Sequence, residues 1–221
     1  MSHNHDHSQC HDEHHDHDHD GHDHTDDLTP ALQNILHEQI DFSKLVTLNE
    51  DESNSGRAIC QKTWAQRLDT HPELKSSADE QLLMTVPFTG QVRLHSILLR
   101  TSNSPSSPKT LKVFLNQDAM DFDTASEKEP TQTLEVSQTN DVQEIPVKRA
   151  YFNTTRSLAL FFEDNWSGGD EDETIITYLA FKGDFMKLNK EPVSVLYEAA
   201  ANPTDHKNIV GIGEGVGRSI Q

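Results

Sequence analysis

The chain has 221 residues, with 37 Asp+Glu against 18 Lys+Arg and a formal net charge of −19. A surface of that sign repels phosphate backbones, which argues against nucleic acid as a partner. No apolar run approaches the roughly 18–20 residues of a membrane-spanning helix, and the longest candidates, such as residues 158–162, have strand length.

The charge is unevenly placed. Residues 1–27 hold ten of the 14 histidines, nine acids and neither Lys nor Arg, and their only hydrophobic residues are Met1 and Cys10. Such a segment buries too little apolar surface to offset chain entropy, so a disordered His/Asp-rich tail is expected there. It has neither the basic and apolar regions of a signal peptide nor the Arg-rich, acid-poor composition of a mitochondrial leader. Cys10 and Cys60 make no disulfide framework, and a reducing cytosolic or nuclear compartment is the simplest expectation. Imidazole is a good ligand for Zn²⁺ and Ni²⁺. The candidate ligands are His3, His5, His7, His11, His14, His15, His17, His19, His22 and His24. Many alternative donor sets compete within that tract, so adventitious Zn or Ni is expected and no cofactor is required.

Residues 28–45 read as a short helix and linker. Thr29 suits the cap, Pro30 suits the first helical position, and Leu28, Leu32, Ile35 and Leu36 share one face. Residues 46–201 change character to short apolar runs divided by polar turns. Strands are predicted at 82–87, 92–100, 110–115, 132–136, 142–147, 158–163, 174–181 and 193–199. Leu111, Val113 and Leu115 alternate with Lys112, Phe114 and Asn116, and the 158–162 run is apolar on both faces, as in a central strand. Thr89-Gly90 reads as a hairpin turn, residues 102–109 as a loop, and residues 166–173 (WSGGDEDE) as an acidic Gly-containing loop. Together these argue an all-β, antiparallel β-sandwich. Residues 202–221, with Gly211, Gly213, Gly215 and Gly217, read as a flexible C-terminal tail with no dinucleotide fingerprint.

Catalytic chemistry is thin. There is no CxxC, no G-x-S-x-G elbow and no H-E-x-x-H motif. Cys60 lies in an apolar stretch and is expected to be a buried thiol. His37, His71 and His95 are scattered, and Asp205-His206 follows Asn202-Pro203 and reads as a turn. The carboxylates of residues 118–123 and 166–173 do not follow the EF-hand order and read as solvated acidic loops rather than a Ca²⁺ site. The chain is therefore expected not to be an enzyme.

Residues 79–83 (DEQLL) and 87–94 (PFTGQVRL) resemble the PITH domain, the C-terminal proteasome-interacting module of thioredoxin-like proteins. Residues 46–50 (VTLNE) with Gly56-Arg57, residues 120–123 (MDFD) with Pro130, residues 178–183 (YLAFKG) and residues 197–207 (YEAAANPTDHK) follow in the family's order. The match is most similar to stand-alone PITH proteins, which lack the thioredoxin domain. The resemblance implies a jelly-roll sandwich similar to galactose-binding domains. It also implies association with the 19S regulatory particle of the 26S proteasome, in cytoplasm and nucleus, and no catalytic motif. Loop position and charge nominate Trp166, Asp170, Glu171, Asp172 and Phe88 as partner contacts. Two alternatives stay open. One is a metal-handling protein acting through the His-rich tail, and the other is a jelly roll binding a carbohydrate or small ligand.

Overall fold

In this computed structural model the described residues are Met1, 34–117 and 119–187. Among the described residues nine strands and two short α-helices follow in order. They are β1 (Val46–Leu48), α1 (Ser55–Gln61), β2 (Leu74–Lys75), β3 (Leu82–Arg100), β4 (Pro108–Leu115), α2 (Phe122–Glu127), β5 (Gln132–Glu135), β6 (Gln143–Pro146), β7 (Thr155–Asn165), β8 (Ile175–Ile176) and β9 (Tyr178–Met186). Every pairing is antiparallel. The all-β antiparallel sandwich read from the sequence is what forms.

Its organiser is β3. The first half of β3 pairs with β1 and β7, and β7 continues through β4 to β5. The second half pairs with β9 from Gln91 to Arg100 and with β6 from Ser96 to Leu99. One strand therefore belongs to both layers, and the register shifts between Pro87 and Val92 where it passes from one to the other. This corrects the expected hairpin at Thr89-Gly90. Gly90 keeps φ outside the left-handed region that a tight hairpin turn requires. Its lack of a side chain instead admits the Phe185 ring, whose Cε2 would lie 2.8 Å from a Cβ at this position. A second correction concerns Ile35 and Leu36. Neither is helical, because Ile35 bridges Lys182 and the Leu36 N–H donates to the Phe181 carbonyl at 2.8 Å. The rest of the predicted helix, residues 28–33, and the predicted strand 193–199 lie outside the described residues. The predicted strand 174–181 is divided at Thr177, whose N–H and hydroxyl both donate to the Arg100 carbonyl, at 2.9 and 3.1 Å.

Alternation places the inner faces of both layers in one core. Leu82, Met84 and Val86 from the first half of β3 meet Ile97 and Leu99 from the second, with Leu111, Val113, Leu158, Leu160, Phe162, Leu179 and Phe181. The outer face of β7 is also apolar, but a helix covers it rather than a second sheet. Leu83, Phe114, Ala159 and Phe161 are sealed by Met120, Phe122 and Ala125 of the α2 region, with Phe122 edge-on to Phe161 at 6.1 Å. Asp121 starts α2 by accepting the Thr124 N–H at 2.8 Å. Hydrogen bonds from Thr124 hold the Asp121 carboxyl below the usual carboxylate range. Most of the MDFD string is thus a capped lid over the sheet.

A charged cross-link joins the three strands of the second layer. Glu144 on β6 accepts the Ser96 hydroxyl and the Lys182 ammonium, each at 2.7 Å. The bond from Lys182, and then that from Ser96, lower its pKa from the ordinary 4.5. A depressed folded-state pKa gives stability that is present above the unfolded value and lost as pH falls through the folded one. The Glu144 side chain is half exposed, so solvent screening limits the contribution to a few tenths up to about 1 kcal/mol. Urea midpoints of the wild type measured from pH 6 down to pH 3 should fall more than those of Glu144→Gln. Parallel curves would show that the cross-link adds nothing.

Candidate functional site

The acidic loop after β7 is a braced turn. The Asn165 amide donates to the carbonyls of Glu171 and Glu173 at 2.8 and 3.1 Å, and its oxygen accepts the Ser167 N–H at 3.0 Å. The Ser167 hydroxyl accepts the N–H groups of Gly169 and Glu171 at 3.2 and 3.0 Å. Gly168 and Gly169 adopt φ of 68° and 99°, which glycine alone takes at little cost. Asp170, Glu171 and Asp172 are exposed on this turn, with Glu171 accepting the Ser106 hydroxyl. Trp166 is half-buried at its base. The indole N–H donates to the Val136 carbonyl at 3.0 Å, and the Lys109 ammonium sits 5.4 Å from the ring centroid. Phe88 is not with them. It is buried in the core, edge-on to Phe181 at 5.7 Å, and presents no side chain to a partner.

A second structured feature lies where β1 meets α1, built from residues that the sequence alone shows only as motif strings. Asn49, at φ 66°, donates through its amide to the Asp79 carboxylate at 2.7 Å and to the Gln81 carbonyl at 2.7 Å, and its oxygen accepts the Ala78 N–H at 2.9 Å. The VTLNE and DEQLL strings are thereby tied together. Glu50 caps α1 from outside the helix, accepting the N–H groups of Asn54 at 2.6 Å and Gly56 at 3.0 Å. Gly56 lies so close to Thr47 that a Cβ would fall 2.0 Å from Oγ1. A cleft of about 180 Å³ opens beside them, lined by Leu45, Val46, Thr47, Glu50, Asn54 and Arg57. No local signal in the sequence marks this convergence, because Asn49 and Gln81 are 32 residues apart.

Cys60 is fully buried, and desolvation raises its thiol pKa, so the reactive thiolate is suppressed. With Cys10 replaced by serine, Cys60 is expected to react with a soluble thiol reagent only at the rate of global unfolding. Fast labelling in native buffer would contradict the burial. His37 contacts the Gln61 carbonyl at 3.1 Å, His95 faces Asp184 at 3.2 Å and His71 is exposed. Among the described residues no three His, Cys, Asp or Glu are grouped to hold a metal ion. The histidines of residues 1–27, Asp118, and the Asp205-His206 pair lie outside the described residues.

A family model described as the PITH domain matches residues 26–201. The chain belongs to the PITH domain family. Curated relatives cover most of its length. It is 34% identical over 223 residues to a PITH domain-containing protein of Drosophila pseudoobscura pseudoobscura, covering 99% of this chain and 98% of that one. It is 36% identical over 174 residues to PITH domain-containing protein 1 of Xenopus laevis, covering 78% and 81%. The corresponding Homo sapiens protein is 33% identical over 175 residues, covering 78% and 80%. Among solved structures, this PITH domain is similar to a family 32 carbohydrate-binding module of Clostridium perfringens NanJ in complex with galactose. That match has a TM-score of 0.44 and 8% identity, covering 65% of this chain and 97% of that one. The C-terminal domain of a Bacteroides fragilis chitobiase has a TM-score of 0.44 and 14% identity, covering 67% and 99%.

Proposed function

We propose that this PITH domain protein is a non-enzymatic interaction module that associates with the 19S regulatory particle of the 26S proteasome, in cytoplasm and nucleus. The observation that carries the reading is the family match over residues 26–201. The resemblance to the proteasome-interacting module of thioredoxin-like proteins supplies the partner. The braced acidic turn supports it physically. Asn165 and Ser167 already order the backbone that presents Asp170, Glu171 and Asp172, so docking spends little further entropy there. Carboxylates on such a turn complement basic patches and steer encounter. The test is native copurification of the full chain and of a variant with Asp170→Asn, Glu171→Gln and Asp172→Asn. Regulatory-particle subunits should be retained by the wild type and reduced in the variant. Their absence from the wild type would overturn the reading, and equal retention would move the contact off this turn.

A second reading, metal handling, rests on the ten histidines of residues 1–27. It requires saturable Zn²⁺ binding at micromolar metal or below, with a fixed stoichiometry, in calorimetric titration of the full chain. Graded binding without a defined stoichiometry would reduce it to adventitious affinity.

A further inference from the structure

Among the described residues β1 is an outer strand of the first layer, paired with β3 on one side only. In an antiparallel pair alternate residues turn their N–H and C=O groups to opposite sides, so part of the β1 backbone points away from β3. Among the described residues no other element donates to or accepts from the backbone of residues 46–48. The other outer strands are defended. β5 exposes Thr133 and Glu135, and β6 exposes Glu144 and Pro146. β9 is flanked at residues 181–183 by residues 34–36. Charge, proline and a covering segment are the usual protections against strand addition. β1 instead exposes Val46 and Leu48, by 51% and 37%.

The two faces of this edge differ in chemistry. Val46 and Leu48 lie opposite Thr85 and Leu83, so they extend the outer sheet face that α2 seals farther along at Phe161. Thr47 is turned the other way, against Gly56 of α1. Arg57 follows on α1, with Nη2 3.5 Å from the Leu45 carbonyl, the long limit of a hydrogen bond. Among the described residues, the buried side-chain atoms without a hydrogen-bond partner are Thr47 Oγ1 and Arg57 Nε. Both residues line the cleft of about 180 Å³ beside β1. A buried polar atom without a partner is rare, and on a charged group it is costly. That separates Arg57 from the exposed bases, which water serves. Glu50 lines the same cleft but is committed to α1, accepting the Asn54 and Gly56 N–H groups and, at 3.3 Å, the Ser55 hydroxyl.

We propose that β1 receives an extended segment of a partner protein in which an acidic residue stands between two apolar ones. Strand alternation sends the apolar pair to one face, beside Val46 and Leu48, and the carboxylate to the other, toward Arg57 in the cleft. β1 is three residues long, so the added backbone bonds are few and the ion pair with Arg57 carries the discrimination. This edge shares no residue with the acidic turn after β7, so the proteasome reading stands or falls separately.

The probe is the blocked peptide acetyl-Thr-Val-Asp-Val-Thr-amide, titrated to millimolar concentration into the full ¹⁵N-labelled chain. The same peptide with Asn for Asp is the control. Saturable shifts should centre on the amides of residues 46–48 and on the Arg57 Nε–H. The Asn peptide should bind about tenfold more weakly, the scale of one charge-assisted bond. That comparison is made on the wild type and does not depend on a variant folding. Arg57→Gln should bind both peptides with the weaker affinity, and Val46→Thr with Leu48→Thr should weaken both alike. No saturable shift, shifts centred elsewhere, equal affinity of the two peptides for the wild type, or a preference for Asp that survives Arg57→Gln would each overturn the proposal. Shifts at residues 46–48 that follow protein concentration without peptide would also overturn it, by giving the edge to a second copy of the chain.

Discussion

Gly183→Ala is expected to lower the unfolding free energy by about 3 kcal/mol, the upper end of the usual range for forced overpacking. Gly183 is buried on β9, at the point where the pairing with β3 slips between Leu94 and Ser96. A Cβ added there would lie 2.1 Å from the Arg93 carbonyl oxygen and 3.1 Å from Leu36 Cδ1. A flexible side chain could move away from such a contact, but a carbonyl inside a paired strand cannot without breaking the ladder. Gly168→Ala is the matched control. Its φ is +68°, and nothing lies within 4 Å of the added Cβ, so it meets only conformational strain of about 1 kcal/mol. Urea unfolding at constant m-value measures both. A Gly183→Ala midpoint equal to that of Gly168→Ala would show that β9 yields more easily than the geometry allows.

Asn49 carries the second large effect, and three substitutions separate its roles. One side of its side chain faces three acceptors, the Asp79 carboxylate, the Asp79 carbonyl and the Gln81 carbonyl, while the other faces the Ala78 N–H. That arrangement fixes which end is the amide nitrogen. Asn49→Gly keeps the backbone comfortable at φ 66° and loses only the bonds, at about 1–3 kcal/mol. Asn49→Ala adds left-handed strain of about 1 kcal/mol. Asn49→Asp is isosteric, yet it turns a carboxylate oxygen toward three acceptors and should be the most destabilising of the three, at about 3 kcal/mol or more. Thermal or urea unfolding gives the ranking. An aspartate variant more stable than the glycine one would refute the donor assignment.

These residues also show which parts of the structure were legible. The 158–162 run was readable as a doubly covered strand because its composition is apolar at every position. What covered its second face was not, since Phe122 reaches Phe161 across 39 residues of sequence and MDFD looks like an acidic loop when read locally. Thr89-Gly90 was misread because a glycine between strands has two physical uses, a left-handed turn and a close approach, and only the position of Phe185 selects the second. Strand β1 escaped prediction because its three residues carry no clear alternation toward the core. Their burial runs exposed, half-buried, exposed, with Thr47 rather than an apolar residue turned inward. At the candidate site, the charge of residues 170–172 was visible. The bond from Trp166 to Val136, which roots the indole 30 residues away, was not. Phe88 was nominated from its place beside a supposed turn, and it went into the core when that turn proved to be continuous strand.

The sharing of β3 between layers has a thermodynamic corollary. Hydrogen bonds from four other strands converge on one uninterrupted segment of 19 residues. Opening either sheet alone would pull on a backbone that the other sheet still holds. The sandwich should therefore have no half-melted form, and the slowest amides of β7 and of β9 should exchange with deuterium through one common global opening.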